Sequence, residues 1–371
     1  MMAARRTRRY TRRIRLSLSM LFLLLLLGSC RSQPVQGASV TRPPSPLYGI
    51  DFLEKASPEH IRIMSFNVGW DSIFPADDPL NDMWRQDDTE AEFVRILRAV
   101  EPDILCLQEI NPYRDPQQVG DILDAVLPLD NGEVWRTHSG QDNVIAARFD
   151  LTMQASEFVH RSRFMELGHA MALVDLPDAE YEQDLYVICA HFQSQGGEAN
   201  IQVRQDHADA ISAWIGDART PGGEIDVPDA TGMVVLGDFN VYDTDPAHHL
   251  TTLLSGDIAD EERYGRDIAP DWDETDLADA LPRQNGVGED RYTWRDDTSV
   301  HDPGILDRIL YTDSVLTVES SFVLNTTIMA QEELETVGLQ SGDVMLDPER
   351  GRYDHLPLVV DLSFRALPSE P

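Results

Sequence analysis

Short apolar runs in this chain repeatedly end on a residue able to do chemistry. Ile61–Phe66 runs into Asn67, Ile104–Leu107 into Gln108 and Glu109, and Leu185–Ala190 into His191. Met233–Leu236 runs into Gly237-Asp238-Phe239-Asn240, Ile305-Leu306 into Asp307, and Asp354-His355 stands just ahead of Leu356–Leu362. Carboxylates, amides and two imidazoles without a thiolate favour a hard cation held through oxygen, Mg²⁺ or Mn²⁺. Magnesium keeps several of its waters, so few protein ligands suffice; Glu109, a carboxylate closing an apolar strand, is the first candidate. Asp238 and Asn240 fall on one face of an extended segment, with Phe239 turned to the core, because strand side chains alternate. A carboxylate there can orient or deprotonate water while the amide fixes its direction. An Asp beside His355 would hold the imidazole in one tautomer and raise its basicity. The protonated ring could then stabilise charge growing on a phosphoryl oxygen.

Such groups act together only if stiff elements bring them together. The apolar runs read as strands, joined by Val144–Ala147 and Ala170–Val174, and their polar ends converge if they share one edge of a sheet. Ala91–Val100 and Val203–Trp214 carry apolar residues at helical spacing and read as helices. No repeat occurs, and no linker divides the stretch from about residue 58 onward, so the spacing predicts one domain over 58–371. The Asp-rich stretches 215–231 and 255–290 read as surface insertions. Within them Asp271-Trp272-Asp273-Glu274-Thr275-Asp276 lacks the sixth-position Gly of a calcium loop and reads as a solvated turn. Cys106 and Cys189 lie inside apolar runs and read as buried free thiols, with a bond between them the alternative in an oxidising compartment.

The composition bounds the class. Of 371 residues 42% are apolar, enough for a core, and three cysteines exclude a disulfide scaffold or a Cys-rich zinc module. The formal charge is −35, which excludes affinity for nucleic acid through bulk charge. Seven arginines lie within residues 1–29, and without that segment 23 basic residues face 65 acidic ones, a net −42. Arg5 to Arg15 followed by the apolar run Leu16–Leu27 is too short to span a bilayer and reads as an export signal over 1–29. The run closes in Leu27-Gly28-Ser29-Cys30, which resembles a bacterial lipobox and implies a lipid on Cys30. Thr11 to Leu16 also matches a twin-arginine pattern loosely, leaving the export route open. Residues 30–57, with Pro34, Pro43, Pro44 and Pro46, read as a tether between lipid and domain.

Between Ser65 and Pro357 the motifs resemble, in order, those of the endonuclease/exonuclease/phosphatase superfamily. Its members include deoxyribonuclease I, abasic-site exonucleases, neutral sphingomyelinases and inositol-polyphosphate phosphatases. The resembling pieces are Ser65-Phe66-Asn67-Val68, Asp103 to Glu109, Asn143 to Arg148, and Ala190 to Ser194 with Arg204-Gln205. They continue in Gly237 to Asn240, in Tyr292-Thr293-Trp294 with Leu306 to Ile309, and in Tyr353 to Pro357. The resemblance implies an α/β four-layer sandwich, two mixed β-sheets packed face to face with flanking helices. It also implies roles. Glu109 would bind Mg²⁺ with Asn67 and Asp354; Asp238, beside Asn240, would activate or orient water. His355, paired with Asp307, would contact the scissile phosphate, and His191 would stabilise that phosphate or protonate the leaving oxygen. Arg148, Arg161, Arg163 and His169 remain open as substrate contacts.

These features predict an exported, lipid-tethered, metal-dependent phosphoester hydrolase, with a nuclease-like phosphodiesterase as the leading reading. A phosphatase or a phospholipase C-like (sphingomyelinase-type) hydrolase of small esters or lipid head groups is the alternative. A non-catalytic binding lipoprotein is the third. The expected contacts are a phosphoester and the membrane, with no protein partner implied.

Overall fold

A computed structural model describes residues 49–80, 89–162, 166–242, 248–297, 300–344 and 353–366. The export segment, Cys30, most of the tether and Arg163 lie outside these. Among the described residues, no helix is long and apolar enough to cross a membrane.

The strands are β1 (Ile61–Asn67), β2 (Ile104–Gln108), β3 (Arg136–Gly140), β4 (Asn143–Ala147), β5 (Asp150–Arg161), β6 (Glu166–Asp175) and β7 (Leu185–His191). They continue with β8 (Gly232–Asp238), β9 (Ala278–Asp279), β10 (Arg283–Gln284), β11 (Asp307–Tyr311), β12 (Leu316–Val323) and β13 (Leu358–Phe364). One sheet has the order β10-β12-β13-β1-β2-β4-β3 and the other β5-β6-β7-β8-β11-β9. Both are mixed: β1–β2 and β7–β8 run parallel, while β13 and β11 join them antiparallel.

Strands β1, β2, β4, β7 and β8 are buried along their whole length. Each is covered on both faces, which is why they read as unbroken apolar runs. Between the sheets lies the larger core, with Ile63, Ile104, Val187 and Leu236 in it. A second core, including Met171, Ile188, Ala208 and Ile211, packs α3 (Glu198–Ala218) against the outer face of the β8 sheet. Helices α1 (Glu90–Val100) and α2 (Gln117–Val126) cover the other sheet, giving the four-layer sandwich. Strands β5 and β12 were not legible as apolar runs. β5 is largely exposed, and β12 alternates polar and apolar residues.

Three expectations are corrected. Cys106 on β2 and Cys189 on β7 form a disulfide across the two sheets, with Cα atoms 5.7 Å apart, so they are not free thiols. Both runs are interior strands facing the same core layer, so the sulfurs meet. Residues 49–57, read as the end of the tether, pack on the domain: Leu53 is buried, Phe52 meets Phe322 edge-on at 5.0 Å, and Lys55 pairs with Asp103 at 2.5 Å. In the Asp271–Asp276 run, residues 273–276 are exposed as expected, but Asp271 is buried; its carboxylate accepts from the Trp272 amide at 2.5 Å and from the Ser314 amide at 3.1 Å.

Inside the domain several buried polar groups are paired. Arg62 meets Asp361 on β13 at 2.6 and 2.8 Å and donates to the carbonyls of Leu53 and Val100. Behind β8, His169 Nε2 and His207 Nδ1 lie 3.0 Å apart, so one ring donates to the other. Burial pushes His207 well below the ordinary imidazole range, helped by His169. Burial, then the Arg204 charge, lowers His249 on α4 (His248–Ser255) to about 4. These rings are neutral when folded and take up protons on unfolding, so their contribution to stability is present above pH 6.5 and lost as pH falls toward 4. Each group weakens the fold by on the order of 1.4 kcal/mol per pH unit in that window. Urea unfolding at pH 7, 6 and 5 should show this loss, and a His249→Asn variant should lose less over the same interval than the parent chain.

Candidate active site

The site forms where strand ends of both sheets meet. In the second sheet Asp238, ending β8, is the register partner of His191 on β7 and of Asp307 on β11. In the first sheet Asn67, ending β1, pairs with Gln108, and Glu109 follows at once. His355 comes three residues before β13 begins, antiparallel to β1. Pro357 suits that position, since it has no N–H to donate and still accepts from Leu324 at 2.9 Å.

Local backbone choices aim the side chains. Glu109 sits at φ 62°, a left-handed conformation rare for a residue with a side chain, which turns it out of the β2 direction. Gly237 lies at φ 140°, and a Cβ there would stand 1.9 Å from the Ala190 carbonyl oxygen, so only glycine lets β8 reach β7 this closely. Asn240 is past the strand end at φ 49°, so simple alternation with Asp238 does not extend to it. Phe239 is fully buried, as expected.

Asn67 ties the two sheets together. Its Nδ2 donates to Glu109 Oε1 and to Asp238 Oδ2, each at 3.1 Å, while its Oδ1 accepts from the Gly69 amide at 3.0 Å. Glu109 Oε2 accepts from the Trp70 amide at 3.0 Å. Two imidazoles face the same oxygen: His191 Nε2 and His355 Nε2 each lie 3.6 Å from Asp238 Oδ2. Behind each ring stands a carboxylate. His355 Nδ1 donates to Asp307 at 2.9 Å, and His191 Nδ1 to Asp142 at 2.5 Å. Thr293 Oγ1 donates to Asp307 Oδ2 at 2.6 Å and accepts from the Leu306 and Asp307 amides, which fixes that carboxylate.

Burial works against charge on both rings, and the carboxylates overcome it. His191 is raised to about 9 against its burial, chiefly by Asp142 and then Asp238. His355 is raised well above its ordinary value against its burial, by Asp307 and then Asp238. Burial raises Asp142 and Asp307, opposed in each case by the paired histidine.

The site contains four carboxylates, Glu109, Asp142, Asp238 and Asp307, against two imidazoles. With all six ionised the excess is two negative charges, which a hard divalent cation would balance. Asp238, Asp307 and His355 form a cluster with potential ligand atoms within 4.8 Å. That trio is a poor metal cage, because Asp307 Oδ2 already accepts from both His355 Nδ1 and Thr293 Oγ1. The Glu109 side, which brings a carboxylate together with the Asn67 amide, offers hard oxygen donors and fits a magnesium-like ion better.

Asn67, Glu109, His191, Asp238, Asp307 and His355 therefore lie together. Asn240 is beside them, but its atoms serve the frame: Nδ2 donates to the Phe192 carbonyl at 3.0 Å and Oδ1 accepts from Tyr242 Oη at 2.9 Å. Asp354 accepts from Trp294 Nε1 at 3.2 Å. Arg148 pairs with Asp103 at the far end of β2, and His169 is buried against His207, so neither stands at the site. Arg161 lines the cavity beside Glu109 and His191. Asp142 stands just ahead of its apolar run and carries no motif that marks it in the sequence. β4 is antiparallel to β2, so its N-terminal end, just after Asp142, lies at the same edge.

Comparison with known proteins agrees with this fold. Residues 64–328 match the model of the endonuclease/exonuclease/phosphatase family. The fold is shared with an endonuclease/exonuclease/phosphatase from Beutenbergia cavernae at 17% identity and TM-score 0.51, over 84% of this chain and 73% of that one. A Bacteroides vulgatus member matches at 19% identity and TM-score 0.51, over 82% of this chain and 99% of its own. ANGEL2, a 2′,3′-cyclic phosphatase, matches at 14% identity and TM-score 0.50, over 82% and 95%. No curated protein matches the chain in sequence. The architecture and strand-end site define a phosphoester-hydrolase fold. The chain belongs to the endonuclease/exonuclease/phosphatase family.

The raised His191 adds a pH dependence of opposite sign to that of His249. Its contribution to stability is fully present below pH 6.5 and is lost as pH rises through about 9. In chelator, the unfolding free energy of the parent chain minus that of a His191→Asn variant should shrink steadily between pH 6.5 and 9.

Proposed function

We propose that this chain is a divalent-metal-dependent phosphodiesterase that uses water to cleave a P–O ester bond. The observation that carries the reading is the convergence of His191 and His355, each backed by a carboxylate, on the Asp238 oxygen that Asn67 links to Glu109. Glu109, with Asn67 beside it and Asp354 as the outlying candidate, would hold Mg²⁺ or Mn²⁺, which when bound supplies a Lewis acid to the phosphoryl oxygens.

The side chains divide the remaining work. Asp238 accepts a hydrogen bond from the attacking water and takes its proton as the new P–O bond forms. Asn240 holds Asp238 in place through its backbone N–H, which donates to Oδ1 at 2.9 Å. His355, kept protonated by Asp307, donates to a non-bridging phosphoryl oxygen. His191, protonated beside Asp142, donates to the phosphate or gives its proton to the departing oxygen. That oxygen leaves with the bonding pair, and the products are a phosphomonoester and an alcohol. Both rings must be cationic for this assignment, and their paired carboxylates favour that state.

The export reading of residues 1–29 and the lipid on Cys30 remain part of the proposal. The Cys106–Cys189 disulfide supports it, because such bonds persist in oxidising compartments outside the cytoplasm. A Cys30→Ser variant should move the protein from the detergent phase to the aqueous phase on phase partitioning; an unchanged distribution would reject the anchor.

Hydrolysis of bis(p-nitrophenyl) phosphate should require added Mg²⁺ or Mn²⁺ and stop in chelator. A Glu109→Ala variant should lose about a thousandfold in kcat/KM, roughly 4 kcal/mol of barrier. Equal activity in that variant, or full activity in chelator, would refute the metal role.

A further inference from the structure

Glu109 stands between two turns. One follows β1, where Gly69, Trp70 and Asp71 lie in succession at φ 61°, 54° and 60°. Residues with a side chain avoid this left-handed region, so Trp70 and Asp71 stay there only because neighbours hold them. The other turn follows Glu109 itself. The Arg114 amide donates to the Asn111 carbonyl at 2.9 Å and closes a β-turn with Asn111 first and Pro112 second, residues that favour those positions.

The Asp71 side chain staples the two turns together. Its Oδ1 accepts from the Asn111 amide at 2.7 Å, and its Oδ2 accepts from Arg114 Nη2 at 2.9 Å and Nε at 3.2 Å. The Asp71 amide donates to the Glu109 carbonyl at 2.9 Å. Arg114 is fixed from its other end: Nη1 donates to Asp78 at 3.2 Å and to Gln118 at 3.1 Å, and the guanidinium carbon lies 3.6 Å from the centre of the Phe74 ring. The Asp71 and Arg114 side chains are 1% and 0% exposed, so dissolved salt screens their pairing little. A buried ion pair adds little net stability over an apolar pair, but it does hold two segments in one register.

What the staple fixes is the plane of the Glu109 carboxylate. Trp70, the residue before Asp71, donates its amide to Glu109 Oε2 at 3.0 Å, while Asn67 donates to Oε1 at 3.1 Å. Two donors on two oxygens set the rotation of the group about its last bond. Mg²⁺ and Mn²⁺ demand a near-octahedral set of oxygens and gain from a ligand held in one orientation. Ca²⁺ accepts more oxygens in a flexible arrangement and gains little from it.

We infer, resting on the reading of Glu109 as the metal ligand, that Asp71 and Arg114 are positioning residues that set the choice of ion: their staple makes the site discriminate Mg²⁺ and Mn²⁺ against Ca²⁺. They act through the 69–71 turn and the Glu109 carboxylate rather than by touching the ion.

The test reads binding, not turnover. Mn²⁺ is titrated into the full chain and followed by the loss of its free-ion electron paramagnetic resonance signal; Mg²⁺ and Ca²⁺ are then used as competitors. The parent chain should bind Mn²⁺ and Mg²⁺ more tightly than Ca²⁺. Arg114→Lys keeps the charge and removes the two-pronged contact with Asp71. It should weaken Mn²⁺ and Mg²⁺ by about tenfold or more and Ca²⁺ by less than about twofold, so that the discrimination shrinks. If that variant does not fold, Asp78→Asn/Gln118→Ala decides, because it loosens only the outer end of Arg114, at two half-buried side chains; a narrowed gap between Mn²⁺ and Ca²⁺ supports the inference and an unchanged gap overturns it. An equal loss for all three ions, or a parent chain without preference, would mark the pair as merely structural and overturn the inference while leaving Glu109 as the ligand. A parent chain that binds no Mn²⁺, or a Glu109→Ala variant that binds it as tightly as the parent, would overturn the metal reading as well.

Discussion

Everything at this site depends on one carboxylate oxygen, Asp238 Oδ2. It receives the Asn67 amide from the first sheet and faces two imidazoles, His191 and His355, at equal distance. An ionised group this deeply buried is tolerable only when surrounded by donors and positive charge. The two Asp–His pairs supply both. Removing one of them would change the charge balance felt by every other member, because both rings face that single oxygen.

The requirement reaches outward through the fold. Each imidazole must be aimed by a carboxylate behind it, and each carboxylate by its own backbone. Asp307 is braced by Thr293, and Asp142 sits buried at the start of β4. The sheets must also be held at a fixed separation, since Asn67 spans them with its hydrogen bond to Asp238 while it holds Glu109 of its own sheet with another. The Cys106–Cys189 disulfide lies two residues from Gln108 on one strand and two from His191 on the other, so it fastens the strands that carry Glu109 and His191. The frame that positions chemistry here is therefore covalent as well as packed.

A chain of −35 formal charge cannot gather a polyanion by long-range attraction. The loop from Phe192 to Gln195 is held to the strand end by Arg204, Tyr242 and Asn240.

Most of the site was legible from the chain alone because the physics was local. An apolar run ending on a polar residue marks a buried strand and its edge, and that rule found Asn67, Glu109, His191 and Asp238; Asp307, read as the end of the Ile305-Leu306 run, instead opens β11. The same rule could not find Asp142, which precedes its strand; only the antiparallel pairing of β4 with β2 brings it to the shared edge. Nor could it decide that Asn240 leaves the strand direction, that Asp354 turns to Trp294, or that two cysteines 83 residues apart meet across the sheets. Those outcomes depend on register and on the approach of two layers. A chain's local pattern specifies which residues are buried and extended; which of them touch is decided only when the layers close.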